Sequence, residues 1–209
     1  VPSPARGLTQ PERVELSNRR LVQAAAALIT EKGWEATTAA EIGRRAGYSR
    51  AMVHARYGSK DAILAAMLQD SDVQQLLPEQ VRGVTGMANA VAHFHRIEEM
   101  YRQDPALVRA LFVMTFEAVK ATSPVRALLH TWFERGVEAI DAGLHLGIDD
   151  GSVRPDIDVE RAVNDISASG FGIAFQWIVL GERYEFDREL AFTRERIIRD
   201  YGARPRKRR

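Results

Sequence analysis

The stretch from Gly33 to Leu64, GWEATTAAEIGRRAGYSRAMVHARYGSKDAIL, leaves this chain few folds to choose from, because it spells two short helices joined by a tight turn. Gly33 follows an apolar helical run and offers the positive φ on which helices end. Thr38 and Glu41 have capping-box spacing, in which each side chain meets an orphan backbone N–H of the other residue. A helix starts there. Ile42 and Ala46, four apart, form its inner face; Gly47 allows a sharp change of direction, and Ser49 caps a second helix. On that second helix Val53 and Tyr57 point inward, which leaves Arg50, Ala51, Met52, His54 and Arg56 for the outside. The pattern is a helix-turn-helix, whose second helix the major groove of DNA is wide enough to admit. Ser59 caps the helix that follows, with Asp61 in its first turn.

In register with that pattern, TTAAEIGRRAGYSRAMVHARYGSKDAIL resembles the DNA-binding domain of the TetR family of transcriptional regulators, over roughly the N-terminal third of the chain. His54 stands where the family usually has a phosphate-touching tyrosine, Arg56 at a variable aromatic or histidine place, Tyr57 at the buried phenylalanine and Gly43 at an alanine. The resemblance implies an all-α chain: an N-terminal three-helix DNA-binding domain with a helix-turn-helix, then a larger helical domain for ligand binding and dimerisation. It implies a homodimer whose two heads read a pseudo-palindromic operator at successive major-groove sites about 34 Å apart. Thr38 and Lys60 would hold phosphates, and Arg50, Ala51, Met52, His54 and Arg56 would face base edges, with Arg50 the first candidate for a bidentate guanine contact.

Charge is unevenly spread along the 209 residues. Residues 1–70 carry 10 Lys and Arg against 7 Asp and Glu, residues 71–203 carry 14 against 21, and residues 204–209 carry 5 against none. Basic ends and an acidic middle suit a head that meets phosphate and a body that stays off the duplex. With 45% apolar residues the chain can bury a sizeable core. It contains no cysteine, hence no disulfide, thiolate nucleophile or cysteine-type zinc site. No membrane-length apolar run and no signal-peptide core occur, so a cytoplasmic location is expected.

Taken in order, residues 1–16, with Pro2, Pro4 and Pro11, read as a flexible arm, and 17–60 as the DNA-binding domain opened by a supporting helix from Ser17 to Lys32. Residues 61–203 read as the effector and dimerisation domain, and 204–209 as a basic tail. The helix after Lys60 enters the body and can act as a lever on the head. Beyond a break between Leu77 and Val84, helices are expected over about 85–103, 106–121 and 124–147, then a turn-rich connection from Gly147 to Pro155. Phe94, Phe112, Met114, Phe116 and Trp132 read individually as core; the resemblance makes them candidates to line an effector pocket. The family's last two helices usually form a four-helix dimer bundle, which assigns about 158–180 and 187–201 to that contact, with Gly170, Phe171, Gly172 and Ala174 allowing close approach.

No catalytic, metal or cofactor motif emerges: no two of His54, His93, His95, His130 and His145 form a His-Glu-x-x-His pair, and there is no phosphate-binding glycine loop. The expectation is therefore a non-enzymatic regulator with three partners: double-stranded operator DNA, a small, largely apolar effector, and a second copy of itself. The competing reading is a DNA-anchored protein-interaction module with no small-molecule effector. An all-α enzyme ranks last.

Overall fold

The computed structural model describes residues 9–68, 80–117, 119 and 126–203. All of arm residues 1–8, the basic tail 204–209, and the first part of the Leu77–Val84 break lie outside the described residues. Within them the chain is helical, apart from one isolated antiparallel bridge between Val153 and Gly202. It packs as two compact units that do not follow chain order: residues 1–70 with 106–126, and residues 71–105 with 127–209.

The first unit contains α1 (Gln10–Lys32), α2 (Ala39–Ala46), α3 (Arg50–Tyr57), α4 (Lys60–Leu68) and nearly all of α7 (Pro105–Glu117). Helix α1 begins at Gln10, inside the expected arm, because Thr9 and Glu12 form a capping box: the Thr9 N–H donates to Glu12 Oε2 at 2.7 Å. Pro11 then falls in the first turn, where a missing N–H costs nothing. Leu21, Ala25, Leu28 and Ile29 of α1 meet Ile42, Val53, Ile63, Leu64 and Met67 in a shared core, as their helical spacing requires. Gly43 brings α2 close to α3. A Cβ there would lie 2.9 Å from Val53 Cγ2 and 3.1 Å from the Tyr48 carbonyl oxygen, so the missing side chain leaves room for the β-branched Val53.

The second unit contains α5 (Gly86–Ala90), α6 (Ala92–Gln103), all but the first residue of α8 (Arg126–Asp150), α9 (Val159–Leu180), a 3-10 turn (Gly181–Arg183) and α10 (Phe186–Tyr201). The helix expected over 85–103 is interrupted at Val91, between α5 and α6. Helix α8 runs through Gly147 to Asp150 rather than turning there. Gly147 is small because a Cβ would overlap Val153 Cγ2, and the real turn follows, with Asp150 accepting from Ser152 N at 2.8 Å and Gly86 N at 2.7 Å. Tyr101, Trp177 and Phe186 pack one end of the α6, α9 and α10 layer, with Trp177 and Phe186 stacked at 4.4 Å between centroids. Arg196 and the Tyr201 hydroxyl both reach Asp165, tying α10 to α9.

Candidate nucleic-acid interface

The geometry of the head starts from its caps. Thr38 N donates to Glu41 Oε2 at 3.1 Å and Glu41 N to Thr38 Oγ1 at 3.3 Å, which starts α2 where the sequence places it. Lys32 adds a 2.6 Å ion pair to the same carboxylate. Lys32 first and Thr38 second pull the Glu41 carboxyl down to about 2. Gly47 takes the left-handed conformation between the helices (φ 82°), and Ser49 Oγ accepts from Met52 N at 3.2 Å to start α3.

Helix α3 then separates into two faces. Val53 is buried, and Tyr57 is partly buried with its hydroxyl donating to Asn18 Oδ1 at 3.1 Å. On the opposite face Arg50, Ala51, His54 and Ala55 are exposed, with Met52 half-buried at the margin. Arg50 and His54 engage no carboxylate among the described residues. Their donors and acceptors are open to a partner. Thr38 is also exposed, at the N-terminal end of α2, where backbone N–H groups favour an anion.

Two of the residues expected on DNA are otherwise engaged. Arg56 turns to α1, where Nη1 donates to Val14 O and Asn18 Oδ1 at 3.0 Å each and also to Ser17 Oγ. Lys60 Nζ donates to the carbonyls of Trp34 at 3.0 Å, Thr37 at 3.1 Å and Glu35 at 3.4 Å, and lies 4.8 Å from the centroid of the Trp34 ring. An ammonium has three donors, and these carbonyls use all three. Asn18, which receives both Arg56 and Tyr57, was invisible to sequence reasoning: an asparagine on a helix carries no local sign of a partner 38 residues away.

The expected effector residues are divided between the units: Phe112, Met114 and Phe116 on α7 belong to the first, Phe94 and Trp132 to the second. Phe94 and Met114 are almost fully buried, and the Trp132 Nε1 donor has no hydrogen-bond acceptor. The residues expected at the dimer contact lie on different faces of α9. Gly170 and Ala174 face the interior of their own unit, Gly170 beneath Phe94, and Phe171 packs on Phe133 with centroids 5.5 Å apart. Gly172 does face outward, as do Ala168, Phe175 and Val179; the last two are 56% and 62% exposed. A helix turns 100° per residue, so neighbours in sequence cannot all serve one face.

The head therefore defines a helix-turn-helix DNA-binding protein, and similarity to known proteins agrees. Residues 21–67 match the family described as bacterial regulatory proteins, tetR family. Over 166 residues the chain is 26% identical to the HTH-type transcriptional regulator HbdR of Aromatoleum sp. (strain CIB), covering 78% of this chain and 63% of that protein. The chain thus spans less than two thirds of that relative's length. Among solved structures, CprB from S. coelicolor A3(2) is 25% identical with a TM-score of 0.70, covering 94% of this chain and 93% of that one. The SmeT–triclosan complex is 22% identical with a TM-score of 0.71, covering 89% and 91%. Residues 21–67 are thus a helix-turn-helix DNA-binding domain of the kind found in the tetR family of bacterial regulatory proteins. No helix among the described residues is long and apolar enough to cross a membrane.

Proposed function

We propose that the protein is a cytoplasmic, homodimeric repressor that reads a pseudo-palindromic operator through α3 and leaves it when a small, largely apolar effector binds the helical body. The observation that carries this reading is the division of α3: Tyr57 and Arg56 are committed to α1, whereas Arg50, Ala51, His54 and the edge of Met52 are presented outward. Arg50 reads a guanine, His54 and Ala51 contact neighbouring bases or their sugar–phosphate edge, and Thr38 steadies a phosphate. Arg56 and Lys60 act behind them as braces. The stripe Ala168, Gly172, Phe175 and Val179 on α9, with exposed Phe192 on α10, is the pairing surface between protomers. The aromatic residues of the body and the likeness to SmeT, known in complex with triclosan, support an apolar effector. Such a molecule works by binding one body geometry more tightly than the DNA-bound one.

Selection and sequencing of genomic fragments bound by the purified protein, at stated salt, tests the reading. An inverted repeat shared by the captured fragments and lost with Arg50→Ala supports it. Salt-sensitive capture without a shared sequence, unchanged in the variant, rejects it.

A further inference from the structure

Glu117 ends α7, and Trp34 opens the turn between α1 and α2, yet the two meet: Trp34 N donates to Glu117 Oε2 at 2.8 Å across 83 residues of sequence. The other carboxylate oxygen occupies the space a side chain at position 33 would fill, so a Cβ on Gly33 would overlap Glu117 Oε1. Gly33 also holds φ 80°, so a substitution there is strained by the backbone itself and would in addition displace the Glu117 carboxylate.

Helix energetics alone give Glu117 no reason to be acidic. It lies at the C-terminal end of α7 and against the C-terminal end of α1, and both ends carry partial negative charge that disfavours a carboxylate. What it gains is the Trp34 N–H. The carbonyl of the same residue is held by Lys60, and Thr37 closes the turn through Thr37 N to Trp34 O at 3.0 Å and Thr37 Oγ1 to Gly33 O at 2.8 Å. Trp34 is 2% exposed and Thr37 1% exposed. The segment that fixes where α2 begins, and with it the aim of α3, is gripped from α4 by a cation and from α7 by an anion.

We propose that Glu117 is a positioning residue for DNA recognition: its carboxylate fastens α7 to the turn that opens the helix-turn-helix, so that α7 and the head move as one body. The proposal rests on the regulator reading above. It adds a second route into the head, independent of the covalent link through α4. Helix α6 ends at Gln103 and α7 begins at Pro105, so a shift of α6 reaches the recognition helix through Asp104, α7 and this carboxylate.

The test uses the full chain carrying Glu117→Ala or Glu117→Gln, the latter keeping one acceptor oxygen. Amide hydrogen exchange is read at Trp34 and Thr37. Affinity is read for the genomic duplex selected by the wild type and for a random-sequence duplex of equal length. Glu117→Ala is expected to speed exchange at Trp34 by about tenfold or more, the loss of one charge-assisted bond. It should weaken the selected duplex by about tenfold and the random one by less than about twofold, because phosphate neutralisation needs no aimed α3. Glu117→Gln should recover most of both effects. A residue that merely stabilised the fold would leave the ratio of the two affinities unchanged at temperatures well below the melt. Unchanged exchange at Trp34 in Glu117→Ala overturns the fastening, whatever happens to DNA; faster exchange with an unchanged affinity ratio overturns the positioning role. If Glu117→Ala does not fold, Glu117→Met, which fills the space without offering a carboxylate acceptor to Trp34 N, is read in its place, and exchange at Trp34 equal to wild type or an unchanged affinity ratio overturns the proposal. If the wild type selects no sequence, the regulator reading fails, while the exchange measurement still judges the fastening.

Discussion

Replacing Lys60 with alanine separates two roles that sequence alone cannot tell apart. In the structure its ammonium holds three carbonyls of the α1–α2 turn, two in part-buried surroundings and the third, at 3.4 Å, exposed. Buried charge-assisted bonds contribute about 1.5–3 kcal/mol each, but Lys60 is half-exposed, so about 1 kcal/mol for each of the two shorter bonds is appropriate. Proximity to the Trp34 ring adds about 0.5 kcal/mol, and release of the lysine rotamers returns about 1 kcal/mol. The net loss is about 1.5 kcal/mol, which lowers Tm by about 3–6 °C in a chain of this length. Calorimetry reads that shift. Titration of a random-sequence duplex over a salt series reads the alternative, because loss of one phosphate ligand reduces the magnitude of the slope of log K against log salt by about 0.9. The brace predicts the melting shift with the slope preserved. An unchanged Tm with the slope reduced by about 0.9 would show that Lys60 leaves the turn for a phosphate, and would refute the reasoning.

The proposed pairing surface predicts that Phe175→Glu gives monomers in sedimentation: two symmetry-related side chains each lose about 1.5–3 kcal/mol of apolar burial, weakening the dimer by about 10²–10⁴-fold. An unaltered dimer would send the interface elsewhere. His93 on α6 retains some accessible edge but is enclosed enough that burial pushes its imidazole down to about 4, against a small opposing hydrogen bond to the Ala90 backbone. Its folded pKa lies below its unfolded one, so the stability it contributes is fully present above about pH 6.5 and is lost as pH falls toward 4. His93→Gln should flatten the Tm profile between those limits; a profile unchanged by the substitution would place the acid sensitivity on other groups.

The parts of the head that were legible in sequence are those specified within a few residues. Thr38 with Glu41, Gly47, and Ser49 are caps and turns, whose partners lie within one helical turn, and all three formed where their spacing put them. Thr9 and Glu12 carried the same signal, masked by three prolines of which only Pro11 bears on the helix, harmlessly. Arg56, Lys60 and Glu117 find partners across 38 to 42, 23 to 26 and 83 residues, respectively, and no local pattern announces such a meeting. Small residues are ambiguous in sequence for a related reason. Gly147, Gly170 and Gly172 look alike in sequence, but Gly147 makes room for Val153, Gly170 lies beneath Phe94, and only Gly172 faces open space.

The head's compact unit is assembled from two separated stretches of chain, 1–70 and 106–126. On the ribosome, helices α1 to α4 emerge well before α7, so the recognition unit cannot reach its final packing until the polypeptide has been made through about residue 117. The same discontinuity sets where the gene can be cut. A chimaera joined just after α4 would leave the Trp34 amide without its acceptor, whereas grafting the binding specificity of this protein onto another regulator requires carrying α7 along with it.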